Sequence, residues 1–409
     1  MSLANNAEAI VRSKQAVFYI ASVLSSFANG VIGPLFIVYL LSIHLTAAQI
    51  GMLLVAERIS IIIFEFPTGV FADRYGRKKS LLISFSVIAL LLIGWFFVRN
   101  FYIFLFLAIV WGIAYTFQSG AKEALIIDSL NLENHDEARN KIFSRLAIYG
   151  NAGFLFGGLI ATLLAFIRID LIWPAAGFLN FLLFGLYFLF TTETRQIDRG
   201  SRKIRIQIRE MFVSAMDSIR SIFSRRIISY FLVVTMIFGF ATAIYGLAYP
   251  IFFKDILNVP NYYFGFLGAL SAFVGILGAL LGEKLTKQKG YYFAMSCFPI
   301  AIFISYFILG VSSIFWLCVI FFAFIELIIN GWFPIYQSFF NKFVPSKIRS
   351  SILSANSTAS LLSIAAGEAL AGFLLMVIHP GNLIAWSGLL FIFIPFILVF
   401  IKRSEVEGS

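Results

Sequence analysis

Charge is scarce in this chain. Only 12% of its 409 residues are charged, and it holds three histidines and two cysteines. A soluble domain carries about twice that charge and a smaller apolar share, whereas here 60% of residues are apolar. So much apolar surface cannot be hidden in a water-soluble fold, which excludes a soluble enzyme, and the same numbers exclude disorder. Cys297 and Cys318 both sit in apolar runs and read as core thiols rather than a disulfide or metal pair. His44, His135 and His379 lack metal-ligand spacing, so no metal centre is expected. No GxxxxGK(S/T) loop is present, which argues against ATP as the direct driver. Nucleophile-elbow and K⁺-filter patterns are missing too, so neither an enzyme nor a pore is expected, and no cofactor is implied.

What is present is a series of long apolar runs. A membrane-spanning helix needs about 20 apolar residues. Twelve runs qualify, near 16–43, 48–72, 80–98, 101–122, 146–167, 171–192, 228–253, 262–282, 291–312, 314–340, 351–378 and 382–401. They show no strict alternation, so a membrane β-barrel does not fit. The expected class is an all-α polytopic membrane protein. Glu8, Arg12 and Lys14 lead straight into the first run, which reads as a retained helix rather than a signal peptide.

The net charge of +11 first suggests a nucleic-acid binder. Sorting the basic residues by loop removes that reading. With the N-terminus placed in the cytoplasm, 27 of the 31 Lys and Arg fall on the cytoplasmic side. Arg99, Arg168 and Lys254 fall outside, and Arg58 lies within a span. This is a positive-inside pattern, and it predicts cytoplasmic termini in a multi-pass cell-membrane protein.

The one long polar interruption divides the chain into an N-terminal six-helix bundle (1–192), a linker (193–227) and a C-terminal six-helix bundle (228–409). The linker carries nine basic residues, with Ile208, Met211, Phe212, Ala215, Met216 and Ile219 at helical spacing, as in a basic amphipathic helix on the inner membrane surface. The halves look related. A shift of 210 residues carries Ala72-Asp73-Arg74 onto Gly282-Glu283-Lys284, and also Arg139, Ser144 and Gly157 onto Arg349, Ser354 and Gly367. One offset serving separate helices argues for duplication.

The strongest local signal is Gly69-Val-Phe-Ala-Asp73-Arg74-Tyr-Gly76-Arg77-Lys78-Lys79, between the second and third spans. Glycines permit close approach and a tight turn. An acid at a helix end near the membrane edge needs a helix N-terminus or a base to offset it. This GxxxDRxGRKK pattern resembles the signature loop of the major facilitator superfamily, in particular its bacterial twelve-helix drug and metabolite efflux members. The likeness extends over the chain through the twelve spans, the six-plus-six division and the degenerate second copy.

The resemblance implies a cytoplasmic gate of Gly69, Asp73, Arg74, Gly76, Arg77 and Asp128. Asp73 would meet the start of the eleventh helix, and Arg74 would lie near Asp128. Lys78 and Lys79 are expected only to fix sidedness. The resemblance also lets glycines pair between the fifth span (Gly150, Gly153, Gly157, Gly158) and the eighth (Gly275, Gly278, Gly282). It implies that the first, fourth, seventh and tenth helices line a solute cavity. Cavity candidates are Asn29, Trp111, Tyr115, Gln118, Thr242, Tyr245 and Asn330. This lining is mostly apolar and aromatic with few polar anchors, which suits a lipophilic or amphiphilic solute better than a sugar.

Five ionisable residues lie well inside spans: Glu57, Arg58, Glu65, Glu326 and Glu368. A mid-membrane charge costs at least about 2.5–3.5 kcal/mol, so each is a functional candidate. Arg58 is expected to pair with Glu368 or Glu57, either to hold the outer side shut or as a local neutralising pair. Glu326, in the middle of the tenth span, is the first candidate for carrying a coupling proton or pairing with a cationic solute, and Glu65 is the second. A protonated Glu326 bonded to a neighbouring helix is the plain structural alternative.

The expectation is a secondary transporter working by alternating access as a monomer, exporting a small lipophilic compound in exchange for protons. Uptake of a metabolite or sugar-like solute is the alternative within the class. A polytopic enzyme acting on lipid is the rival from another class, and a transporter-shaped receptor is a third.

Overall fold

The computed structural model describes residues 2–132, 135–193, 226–345 and 348–407. The expected linker helix therefore lies, but for its ends, outside the described residues. Every regular element among the described residues is helical. Inside a bilayer each backbone donor and acceptor must be satisfied within its own segment, which a helix does.

Among the described residues, twelve helices are long and apolar enough to cross a membrane: α1 Lys14–Ser42, α2 Ala47–Tyr75, α3 Arg77–Phe97, α4 Phe101–Ser129, α5 Glu137–Ile167, α6 Ile169–Phe190, α7 Arg226–Ile256, α8 Tyr263–Lys289, α9 Tyr291–Val311, α10 Phe315–Phe343, α11 Ser351–Leu374 and α12 Pro380–Lys402. Large apolar side chains stay exposed on them, among them Phe97, Phe166, Leu189 and Phe373. On a soluble protein such patches would drive association; here they are the surface that meets lipid.

Two boundaries differ from the apolar runs. α5 begins at Glu137 rather than near 146, because the helix already runs through Arg139, Lys141 and Arg145 before the apolar run starts. α4 runs on to Ser129 but breaks at residues 117–120, where Gly120 takes φ +68°.

The chain divides into two compact units. The first comprises the described residues of Met1–Tyr39, Ser60–Arg209 and Asn261–Ala269. In it α1 packs on α5 and α6, and α3 packs on α4 and α6. Trp95 and Trp173 are fully buried at its core, with ring centroids 4.6 Å apart. The second unit comprises the described residues of Leu40–Ile59, Glu210–Pro260 and Leu270–Ser409. In it α7 packs on α11 and α12, and α9 packs on α10 and α12. The same pairings thus recur six helices later, as a duplicated architecture requires. Gly157 and Gly367, 210 residues apart, play matching parts. A Cβ on Gly157 would overlap the Phe27 carbonyl of α1, and one on Gly367 the Phe240 carbonyl of α7.

The expected glycine pairing between α5 and α8 holds at Gly158, against Gly265, and is corrected at the other positions. Gly150, Gly153 and Gly157 are occupied by α1, while Gly158 meets α8 near its start, at Gly265 and Ala269. Gly275, Gly278 and Gly282 lie instead on α10, where a Cβ on Gly278 would overlap the Leu327 carbonyl. Both contacts use small residues to let backbones touch, so spacing alone could not tell the partners apart.

Candidate functional site

The signature loop turns at Gly76, whose φ of +108° is closed to most L side chains and separates α2 from α3. Arg77, first residue of α3, directs Nη1 to the Asp128 carboxylate and to the Ala124 carbonyl at 2.9 Å. Arg74, expected there, instead stands 5.8 Å from the ring centroid of Tyr75. The end of α2 also meets α4, through Thr68 on the Thr116 carbonyl (3.2 Å) and Phe71 against Phe117, but the ion pair to Asp128 comes from Arg77, beyond the turn at Gly76. The second glycine behaves differently from expectation, since no described atom lies within 4 Å of a Cβ built on Gly69.

Two features of this loop were not visible in the sequence. Glu193 accepts hydrogen bonds from the backbone N–H groups of Arg77 (3.1 Å) and Lys78 (3.0 Å). It thereby caps the start of α3, where the helix dipole favours a carboxylate. Lys78 donates from Nζ to the carbonyls of Phe188 (2.8 Å) and Thr191 (2.6 Å), which closes the end of α6. Lys78 therefore does more than fix sidedness. Glu193→Ala should remove both cap bonds and cost about 0.5–2 kcal/mol, read as a lower thermal midpoint of the purified protein.

In the second unit, Arg58 stands between two acids. Its Nη1 is 3.6 Å from Glu57 and its Nη2 is 3.4 Å from Glu368. Glu368 is only 5% exposed, and its second oxygen has no hydrogen-bond partner among the described residues. Glu65, in the first unit, accepts from Ser119 Oγ at 3.4 Å. Glu326, on α10, accepts from Ser271 Oγ of α8 at 2.6 Å. Among the described residues it takes part in no ion pair.

The cavity candidates divide by environment. Trp111 belongs to the tryptophan core, 5.8 Å from Trp95. Tyr245 is buried and stacked on Tyr249 and Tyr306. Thr242 donates to the Phe238 carbonyl of its own helix (2.7 Å), and Asn330 to the Glu326 carbonyl (2.8 Å). Asn29 and Tyr115 are exposed, and Gln118 lies in the break of α4.

Over residues 18–368 the sequence matches the profile of the Major Facilitator Superfamily. The chain belongs to that superfamily. It is 26% identical over 374 residues to the uncharacterized MFS-type transporter YxaM of Bacillus subtilis (strain 168), covering 89% of this chain and 88% of the relative. Among solved structures it resembles the nucleoside transporter NupG, with a TM-score of 0.77, 14% identity, and 95% and 99% of the two chains covered. A bacterial homologue of the human lysosomal transporter Spinster gives 0.75 at 12% identity, covering 95% and 96%. The human organic anion transporter MFSD10 gives 0.68 at 14%, covering 95% and 99%. At these identities the likeness to the solved structures is one of fold. The family makes this chain a multi-pass membrane protein and a secondary transporter of small-molecule solutes, not an enzyme.

Two polar groups of this superfamily member, Tyr336 and Asn356, were missed by the sequence reading, whereas Thr235 of the seventh helix was read as part of a polar stripe. Tyr336 donates to the Phe231 carbonyl at 2.9 Å, and Thr235 lies 2.5 Å from the Tyr336 hydroxyl and 2.7 Å from Asn356 Oδ1. This network ties α7, α10 and α11 together. Ser271, the hydroxyl on Glu326, also went unnoticed. Its only sequence signal is a serine in the small-residue run of α8.

Proposed function

We propose that this transporter exports a small lipophilic or amphiphilic compound in exchange for protons, by alternating access, with Glu326 as the proton carrier. The observation that carries the reading is Glu326 itself. It is a carboxylate midway along a membrane helix, held by one serine hydroxyl and set among aromatic rings. Low dielectric disfavours the charged form of such a group, so loading and unloading a proton is a natural cycle for it. The aromatic, donor-poor surroundings favour an apolar solute over a sugar.

In this reading the bundles are 1–192 and 228–409, joined by the 193–227 linker, with both termini cytoplasmic and the monomer as the working form. Gly69, Asp73, Arg74, Gly76, Arg77 and Asp128 form the cytoplasmic gate. Proton-coupled uptake of a metabolite is the second reading, supported by the likeness to a nucleoside transporter. A solute panel screened by thermal shift, followed by flux in liposomes with a trapped pH dye, tests both. Solute-dependent alkalinisation or acidification of the lumen supports proton coupling, its sign gives the direction, and solute flux with no proton movement contradicts it.

A further inference from the structure

The surroundings of Glu326 hold more than a proton carrier needs. Tyr245 stacks on Tyr249 at 5.1 Å and on Tyr306 at 4.7 Å, and Tyr249 lies 5.4 Å from Phe322. Phe322 lies one turn before Glu326 on α10, which places the carboxylate's helix beside these rings. These residues come from α7, α9 and α10, and with Ser271 of α8 all belong to the second unit.

Three observations separate this cluster from ordinary packing. First, two of the four buried tyrosine hydroxyls that have no hydrogen-bond partner among the described residues sit here, on Tyr245 (3% exposed) and Tyr306 (0%). Buried tyrosines usually satisfy that group, and phenylalanine would pack as well without the penalty. Second, Glu326 has aromatic neighbours and one serine but takes part in no ion pair among the described residues, whereas Glu57 and Glu368 share an arginine. Third, the cluster is not sealed. Tyr249 and Glu326 are partly exposed, and no described atom comes within 4 Å of a Cβ built on Gly246, one turn before Tyr249.

We infer that Glu326 and the tyrosines around it form a binding site for a monovalent organic cation, an alkyl- or arylammonium. Aromatic faces carry negative potential and attract such a cation, most strongly away from water. The carboxylate neutralises it inside the membrane, where an unpaired charge is costly. The phenol hydroxyls offer hydrogen bonds to polar atoms of the same solute. This names the solute class of the proposed transport site and rests on that reading only for its role in transport; the binding itself stands apart from it.

The test is calorimetry on the purified protein with two probes of one shape, (4-hydroxyphenyl)trimethylammonium and uncharged 4-tert-butylphenol. The native protein should bind the cation at least roughly tenfold more tightly than the phenol. Glu326→Gln should erase that preference. Tyr249→Leu should weaken cation binding roughly tenfold, while Tyr249→Phe, which keeps the ring, should hold it within about threefold. Equal binding of the two probes, or a cation preference that survives Glu326→Gln, overturns the site. Cation binding without flux in liposomes would sustain the site and remove the transport reading. Proton-coupled flux of uncharged solutes alone would do the reverse.

Discussion

Liposomes carrying the Glu326→Gln protein are expected to build no solute gradient from a pH gradient. One pH unit is worth about 1.4 kcal/mol per proton, a roughly tenfold solute ratio for one-for-one coupling. The native protein should approach that ratio, and the variant should stay near unity. Glutamine keeps the size and an acceptor for Ser271 Oγ, which lies 2.6 Å from the carboxylate, but cannot take up a proton. Loss of accumulation would then reflect coupling rather than collapse of α8 against α10. Glu283→Gln is the control. Glu283 pairs with Lys287 on an exposed turn of α8, 2.5 Å away, and its loss should leave accumulation intact.

The second large effect is expected at Arg58. Removing one partner of a buried ion pair leaves a charge without compensation, at a cost of about 3–5 kcal/mol. Arg58→Glu would set three carboxylates together, among them the buried Glu368. Transport should be lost and the thermal midpoint lowered by several degrees. Glu368→Arg alone should do likewise, since it sets two guanidinium groups side by side. The double reversal restores an attractive pair and should recover most of both. If neither measurement recovers, Arg58 and Glu368 do not act as a pair, and the local Glu57 contact neutralises Arg58 instead.

The spans were legible because lipid demands apolar runs of fixed length, and that demand leaves a direct mark on the sequence. All twelve expected runs overlap the twelve helices. The ends were less legible because a helix continues past its apolar part. α5 takes in Arg139, Lys141 and Arg145 before any apolar run begins. In the signature loop the residue types were readable but their pairing was not. Arg74 and Arg77 lie three residues apart on either side of Gly76, and only the direction of that turn decides which one reaches Asp128. Glu193 read as the first residue of a linker, yet it caps α3 across more than a hundred residues of sequence. Glycine spacing announced close helix contacts without naming the partner helix, because any small-residue face will serve. Glu326 stood out by the cost of a charge in a span, whereas Ser271 and Tyr306 carry no such cost and became visible only beside it.

The central claim is that solute movement is tied to protons through this transporter. The most direct measurement is accumulation of a transported solute in liposomes under an imposed pH gradient, before and after the gradient is collapsed with nigericin. The account predicts a solute gradient that follows the pH gradient, vanishes on collapse, and is absent from the start with Glu326→Gln. Accumulation that persists after collapse, or that is the same in Glu326→Gln, would contradict it.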